Sequence, residues 1–189
     1  MRVVGGVYRG LQLKSPAGRD VRPTSARARE AIFNVLIHGL PEWKGSIDGA
    51  IVLDLFCGTG ALGIEALSRG AAHVTFIERD EATMDIAKAN ALVEPDSIRR
   101  TKFLRLNATA LPPFNGKSPG DIAFLDPPYG KNLAIPALIG LRTHNWLSQG
   151  ALVVLETGKD SGFYSPPEYS IIDVRTYGIT KIFFLMVAN

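Results

Sequence analysis

The chain has 189 residues, of which 46% are hydrophobic, and a formal net charge of +3. This length and composition predict one domain with a sizeable core and exclude a disordered chain. No apolar run approaches the roughly 18 residues that cross a membrane, no signal peptide is evident, and the single cysteine, Cys57, excludes an intramolecular disulfide framework, so we expect a cytoplasmic protein.

Positive charge is concentrated in the first thirty residues. They hold seven basic and two acidic residues, whereas the rest of the chain holds 14 basic and 16 acidic residues. Such a basic arm indicates a polyanionic partner, most simply nucleic acid, although a solvated surface face is the plainer interpretation. The basic positions are Arg2, Arg9, Lys14, Arg19, Arg22, Arg27 and Arg29.

Residues 3–13 predict a small β-hairpin, because apolar and β-branched residues are interrupted there by Gly5-Gly6 and Gly10. Two strands are not stable alone, so the hairpin must pack on the main domain or become ordered on its partner. We therefore divide the chain into a basic arm, residues 1–22, and a main domain, residues 23–189.

The main domain alternates helices and apolar strands. The first helix follows Thr24 or Ser25, and others follow residues 58–63, run from Asp80 to about Leu92, and lie near 133–141. Strands are predicted at 50–56, 72–77, 102–106, 122–125 and 151–156, and an antiparallel pair at 170–177 and 180–187. This pattern predicts an α/β doubly wound sheet, mostly parallel, that ends in an antiparallel hairpin.

A glycine-rich turn, Gly58-x-Gly60-x-x-Gly63, follows the first strand. It matches the dinucleotide fingerprint, with Glu78 at the expected spacing, so a nicotinamide or flavin enzyme is a serious alternative. Asp54, however, places a carboxylate just before the turn, where it would repel a pyrophosphate and attract a cation.

A ligand with an adenosine end, a cationic centre and an amino-acid tail explains all these features, and S-adenosylmethionine has that shape. Its ribose would meet Glu78, and its adenine would lie near Asn107, after the third strand. The glycines allow close approach of a ligand, and the N-terminus of the following helix favours a carboxylate.

The tetrapeptide Asp126-Pro127-Pro128-Tyr129 lies where the fourth strand ends, at the edge of a parallel sheet where ligands bind. The Asp126 carboxylate and the Pro127 carbonyl offer two acceptors for the hydrogens of a planar amine, and Tyr129 offers a ring that stacks on a base. Taken alone, the tetrapeptide is equally an ordinary proline-rich turn. Next to a cofactor loop, it predicts chemistry on an exocyclic amine.

These motifs resemble the Rossmann-like methyltransferases that modify exocyclic amines. Segments 2–10 and 22–30, with Phe33-Asn34 following, further resemble the RsmD family, which methylates N2 of a guanine in bacterial 16S ribosomal RNA. The resemblance spans nearly the whole chain. It implies a Rossmann-like fold, S-adenosylmethionine as cofactor, and 16S ribosomal RNA as partner, within the small ribosomal subunit or an assembly intermediate. An enzyme of this size is expected to be a monomer.

The resemblance also implies roles for single residues. Asp126, Pro127 and Tyr129 would be catalytic. Cofactor contacts are implied at Thr24, Asp54, Phe56, Gly58, Gly60, Glu78, Arg79, Asn107 and Ala108. Asn107 stands where related enzymes often have an aspartate. The basic arm adds expected RNA contacts at Arg2, Arg9, Lys14, Arg22 and Arg27, and no metal is expected.

Two further alternatives stay open. An adenine-N6 methyltransferase on DNA or another RNA would use the same tetrapeptide, because both amines present the same pair of hydrogens. A non-catalytic RNA-binding module on a methyltransferase fold would keep the basic arm but would have no use for Asp126 and Tyr129. Residues 157–170 match no motif.

Overall fold

A computed structural model describes residues 1–15, 26–92 and 95–188. No helix within these ranges is long and apolar enough to cross a membrane. Helices and strands alternate along the chain, and a short 3-10 helix at Pro95–Ile98 precedes β3. The elements are α1 Ala26–His38, β1 Ile51–Leu55, α2 Ala61–Ser68, β2 His73–Ile77, α3 Glu81–Ala91, β3 Thr101–Leu104, β4 Gly120–Leu125, α4 Ala134–Thr143, β5 Leu147–Gly158, β6 Tyr169–Tyr177 and β7 Thr180–Val187.

The seven strands form one sheet in the order β3-β2-β1-β4-β5-β7-β6. Strands β3, β2, β1, β4 and β5 are parallel to one another, and β7 is antiparallel to both β5 and β6. The prediction of an α/β doubly wound sheet with a C-terminal antiparallel hairpin is therefore confirmed. At the C-terminal end of this order the edge strand is β6, whose side chains are mostly exposed, whereas the four residues 182–185 of β7 are buried.

Strand β5 is much longer than the predicted 151–156. Its first residues, Leu147 to Gly150, include polar side chains, so the apolar pattern does not reveal them. They still belong to the strand, because Leu147 pairs with Gly120 of β4 before the register shifts. The other strands lie within a few residues of their predicted positions.

Apolar side chains cover both faces of the sheet. Alternate residues of a strand point to opposite faces, so Phe124 packs with α1, where its ring lies 5.5 Å from that of Phe33. The next residue, Leu125, packs on the other face with Leu138 of α4. The central strands are therefore apolar on both sides, as parallel strands covered by helices are.

The described part of the N-terminal arm, residues 1–15, packs against α2 and α3. Its predicted hairpin has one antiparallel bridge, between Arg2 and Gln12, and further backbone hydrogen bonds join Val3 to Leu11 and Leu13 to Met1. Val3 and Leu13 are 3% and 5% exposed and join the core, so this part of the arm is integrated into the main domain. Gly6 has a φ of +74°, and a Cβ there would overlap the carbonyl of Ser68, so only glycine fits this close approach.

A buried ionic network holds this segment in place. The Arg29 guanidinium donates to the Arg2 carbonyl at 2.7 Å, and the Glu65 carboxylate accepts from the Val4 N–H at 2.8 Å and from Arg69 at 2.8 Å. Arg29 is 1% exposed, and its burial lowers its pKa while the charge of Glu65 opposes that shift. Arg29 therefore serves the fold, although it contributes to the basic count of the arm.

Candidate active site

The candidate site lies at the carboxyl ends of the central parallel strands. β1 pairs with β2 on one side and with β4 on the other, so the chain leaves β1 at the point where the strand order reverses. Open α/β sheets bind ligands at this switch point. The topology brings together the segments that follow these three strands, which carry the glycine-rich turn, Glu78 and Asp126.

Asp54 is buried beneath this edge, with 1% of its surface exposed. Its Oδ2 accepts the N–H of Gly63, in the first turn of α2, at 2.9 Å. Burial raises the pKa of Asp54 well above its usual range, the Gly63 bond opposes this, and the charges of Asp126 and Glu78 raise it further.

One N–H group at the N-terminus of α2 is already used, because Asp54 accepts the Gly63 N–H. The expected contact between this helix end and a carboxylate of the ligand stays a prediction. Two further acidic side chains, Glu78 and Asp126, lie within electrostatic range of Asp54. This negative site repels a pyrophosphate and suits a cationic ligand.

The three glycines of the turn have different roles. Gly58 and Gly60 have φ values of +54° and +79°, which favour glycine, and Phe56 shares this left-handed conformation at +55°. Gly63 instead allows α2 to pack on β2, because a Cβ there would lie 2.4 Å from the ring of Phe76. Gly58 and Gly60 therefore shape the loop, and Gly63 sets the distance between helix and sheet.

Glu78 ends β2 with a carboxylate of fixed orientation. Its oxygens accept the backbone N–H groups of Gly58 at 3.3 Å, Arg79 at 2.8 Å and Asp80 at 3.0 Å. The carboxylate thus joins the end of β2 to the glycine-rich turn, next to Asp54. Its position fits the predicted contact with ribose hydroxyls, since a carboxylate accepts more than three hydrogen bonds.

The other predicted cofactor residues line the same edge. Asn107 is exposed after β3, and its side-chain oxygen accepts from the N–H and the hydroxyl of Thr109. The amide N–H₂ is the group it can offer an adenine acceptor. Ala108 is buried and Arg79 is exposed.

Cys57 lies within the turn, and burial raises the pKa of its thiol, with Asp54 and Glu78 contributing. A neutral thiol is a poor nucleophile, so Cys57 serves as a small buried residue of the turn.

Tyr129 of the tetrapeptide is held by its hydroxyl. The hydroxyl donates to Oε1 of Glu156 at 2.8 Å and lies 3.2 Å from the hydroxyl of Thr180. The pKa of Tyr129 is raised, chiefly by burial and also by Glu156, although Thr180 lowers it. The phenol is therefore neutral, and its ring, in a side chain 39% exposed, stands at the surface next to Gly158.

A cleft of about 550 Å³ opens beside this ring. Its walls come from the tetrapeptide loop, the start of α4, the end of β5 and the following segment 159–163. Pro127, Tyr129, Ile135, Glu156 and Phe163 are among the lining residues. The cleft is mostly apolar in its lining side chains, with the carboxylate of Glu156 at its wall.

Sequence reasoning missed Glu156, Gly158 and Thr180. Glu156 carries the same sequence signal as Asp126, namely an acidic residue at the end of an apolar strand, so its place at the site was predictable. Thr180 could not be found, because only the antiparallel pairing of β5 with β7 brings residue 180 opposite residue 158.

The predicted RNA-binding residues lie on the N-terminal side of the molecule. Arg2, Arg9 and Lys14 are exposed on the arm, and Arg27 is exposed on α1. The predicted contacts at Arg22 and Thr24 lie outside the described residues. In the ranges that the structure covers, no group of three His, Cys, Asp or Glu side chains could hold a metal ion.

Known proteins resemble the chain over nearly its whole length. The family model described as Conserved hypothetical protein 95 matches residues 1–186. Ribosomal RNA small subunit methyltransferase D of Haemophilus influenzae is 33% identical over 182 residues, which cover 96% of this chain and 91% of that protein. The protein of the same name from Escherichia coli K12 is 34% identical over 168 residues, covering 88% of this chain and 79% of that protein.

A solved structure also matches the fold. It is that of yhhF from Escherichia coli, provisionally described as a methyltransferase, and it superposes with a TM-score of 0.81 at 29% sequence identity. The match covers 100% of this chain and 98% of the other.

Proposed function

The chain belongs to the Conserved hypothetical protein 95 family, and on this basis we propose that it is an S-adenosylmethionine-dependent methyltransferase that acts on ribosomal RNA. The resemblance to the RsmD family is confirmed, since the relatives from Haemophilus influenzae and Escherichia coli are named ribosomal RNA small subunit methyltransferase D. The finer proposal is that the target is the N2 amine of a guanine in 16S ribosomal RNA.

One observation carries the chemistry. Asp54, Glu78 and Asp126 gather negative charge around a glycine-rich turn, directly beside the acceptors of the tetrapeptide. S-adenosylmethionine supplies an electrophilic methyl group on a positively charged sulfur. The residues present fit it, because buried carboxylates attract positive charge in a medium of low dielectric constant. Glu78 and Asn107 would hold its ribose and adenine, while Gly58 and Gly60 would let the backbone approach it.

The chain's own residues would prepare the amine. The nitrogen of guanine N2 is a poor nucleophile, because its lone pair is delocalised into the ring. The Asp126 carboxylate and the Pro127 carbonyl would accept its two N–H groups, hold it in line for attack and favour a pyramidal nitrogen. A carboxylate oxygen of Asp126 would stabilise the positive charge that grows on nitrogen and accept the proton that it loses. Tyr129 would stack on the extruded base.

We further propose where the enzyme works. The small-subunit names of the relatives support the small ribosomal subunit, or an assembly intermediate of it, as the substrate particle. The exposed Arg2, Arg9, Lys14 and Arg27 would contact its phosphates. A ribosomal substrate also supports a cytoplasmic location, and we propose a monomer.

The alternatives are not favoured. The relatives' names specify ribosomal RNA, which counts against DNA as the target of an adenine-N6 enzyme. The buried Asp54 at the N-terminus of α2 counts against a dinucleotide. A non-catalytic module would have no use for a tyrosine anchored beside Asp126.

Methyl transfer from labelled S-adenosylmethionine to undermethylated small ribosomal subunits, followed by nucleoside analysis, tests the proposal. Label in N2-methylguanosine supports cofactor, reaction and target together. Label in N6-methyladenosine would retain the chemistry and contradict the target. Absence of label from subunits, with the cofactor bound, would contradict the activity.

A further inference from the structure

We infer that Glu156 is the residue that selects guanine over adenine, by accepting the N1–H of the target base. This inference rests on the proposed function, and it concerns a distinction that the tetrapeptide cannot make by itself. Guanine N2 and adenine N6 are both planar amines with two hydrogens. What differs is the ring position next to the amine.

Glu156 stands beside Asp126 in the sheet. Leu125 of β4 pairs with Leu155 of β5 in parallel register, so Asp126 and Glu156 are the next residues of two neighbouring strands. Both carboxylates lie within electrostatic range of the Tyr129 hydroxyl. Glu156 also lines the cleft together with Pro127 and Tyr129. Pro127 and Tyr129, which are proposed to hold the amine and the base, therefore have an acidic neighbour in the same cleft.

The two purines differ in the ring atom that they would present to the Glu156 carboxylate. Guanine carries a hydrogen on N1, next to its N2 amine, whereas both ring nitrogens that flank the N6 amine of adenine, N1 and N7, are acceptors. A carboxylate is acceptor-only when ionised. It would bond the N1–H of guanine and would face the N1 lone pair of adenine without a hydrogen between them. A site built for a substrate N–H strongly rejects an analogue that lacks it.

The environment of Glu156 makes it a well-defined acceptor. The residue is 5% exposed, and one of its oxygens already accepts the Tyr129 hydroxyl at 2.8 Å. A carboxylate has about four acceptor positions, so this bond fixes its orientation without excluding a base. Tyr129 and Glu156 would then act as a unit, the ring stacking on the base and the carboxylate bonding its edge.

The test uses a base that keeps the amine and lacks the N1 hydrogen. Small subunits are reconstituted with 16S RNA ligated from segments, carrying either guanosine or 2-aminopurine riboside at the position that the labelling experiment identifies. For the unaltered enzyme we expect kcat/KM to favour guanosine by roughly 10- to 100-fold, the range for a hydrogen bond to a charged group. Glu156→Gln should reduce this preference at least tenfold, because its amide also donates to N1.

Controls separate selection from mere positioning of the ring. Thr180→Val removes one contact of the tyrosine hydroxyl and leaves its bond to Glu156 in place, so it should lower kcat/KM for both substrates by the same factor and leave the ratio unchanged. Glu42→Gln, an exposed residue before β1, should change neither. The preference for guanosine in kcat/KM is compared between enzyme variants. The intrinsic difference in reactivity between the two amines therefore cancels, as in a double-mutant cycle.

Two outcomes would overturn the inference. One is an unaltered enzyme that methylates both particles equally, a measurement that needs no variant. The other is a Glu156→Gln protein that loses activity on both particles by one factor, which would leave Glu156 as a support for Tyr129 only. If Glu156→Gln does not fold, Glu156→Met replaces it, because Met also removes the acceptor, and an unchanged ratio has the same meaning. Failure of the unaltered enzyme on the guanosine particle would instead contradict the proposed function itself.

Discussion

At the scale of single residues, Asp54 illustrates a conflict between stability and function. An ordinary aspartate has a pKa of 3.8, and burial raises the pKa of Asp54 in the folded protein well above this. Between the two values the unfolded chain releases its proton first, so the free energy of unfolding falls as the pH rises. The fold therefore disfavours the charged form of Asp54, and a cationic ligand beside it would favour that form.

Asp54→Asn should therefore stabilise the protein at neutral pH and weaken cofactor binding. The amide oxygen can still accept the Gly63 N–H, while the buried charge is gone. Because burial raises the pKa of Asp54, the gain in the free energy of unfolding should grow as the pH rises above the usual pKa of an aspartate. Urea unfolding and S-adenosylmethionine titration measure the two effects. Asp121→Asn is the matched control, because that carboxylate bonds Ile51 N–H at the opposite end of β1.

Asp126→Ala should lower the rate of methyl transfer far more than it lowers the affinity for the cofactor. The variant removes the acceptor for the amine and the charge that stabilises the developing cation, for which a loss of about 100-fold or more in kcat is expected. Single-turnover transfer and equilibrium titration of S-adenosylmethionine measure the two properties. Asp85→Ala, on the exposed side of α3, serves as the control. Full activity of Asp126→Ala would remove it from the catalytic site.

At the scale of elements, the contact between α2 and β2 depends on one glycine. Gly63→Ala places a methyl group 2.4 Å from the Phe76 ring, which is fully buried and stacked on Phe103 at 5.1 Å. The ring cannot move freely, so we expect a loss of about 1–3 kcal/mol. Gly140→Ala, in α4 with no atom closer than 4.0 Å, should instead stabilise by about 0.5–1 kcal/mol. Denaturant unfolding of both variants checks the contrast, and equal effects would contradict it.

The elements themselves were largely predictable from the sequence. Continuous apolar runs gave the central strands, and Asp80, whose carboxylate accepts the Thr83 N–H, marked the start of α3. The polar start of β5 was not predictable, since pairing with β4 and not hydrophobicity holds it in the sheet. Asp126 and Glu78 were recognisable as acids at strand ends. Their relation to Glu156 and Thr180 depends on strand order, which a linear pattern does not contain.

At the scale of the whole molecule, the N-terminal segment exposes its basic side chains and buries Val3 and Leu13 in the core. Its exposed side chains can be tested without disturbing its buried ones. Replacing Arg2, Arg9 and Lys14 with alanine should weaken binding to small subunits and reduce the slope of log affinity against log salt by about two to three. The melting temperature and the affinity for S-adenosylmethionine should stay unchanged. Filter binding across a salt series measures the slope, and an unchanged slope would remove the arm from the RNA interface.

Deleting residues 1–14 should instead destabilise the whole domain. The deletion removes Val3 and Leu13 from the core and takes away the Arg2 carbonyl and Val4 N–H that Arg29 and Glu65 bond. Buried charged groups that lose their partners cost about 3–5 kcal/mol. Urea unfolding measures the loss, and a truncated protein of unchanged stability would show that the arm is independent after all.

The position of β7 between β5 and β6 affects how the chain folds. β6 is made first, yet it joins the sheet only through β7. Until β7 docks, the twelve-residue β5 is an open, apolar edge, and such edges pair readily with other chains. Slow docking of the final hairpin would therefore lead to aggregation, and a folding catalyst or chaperone would act most effectively on that single late step.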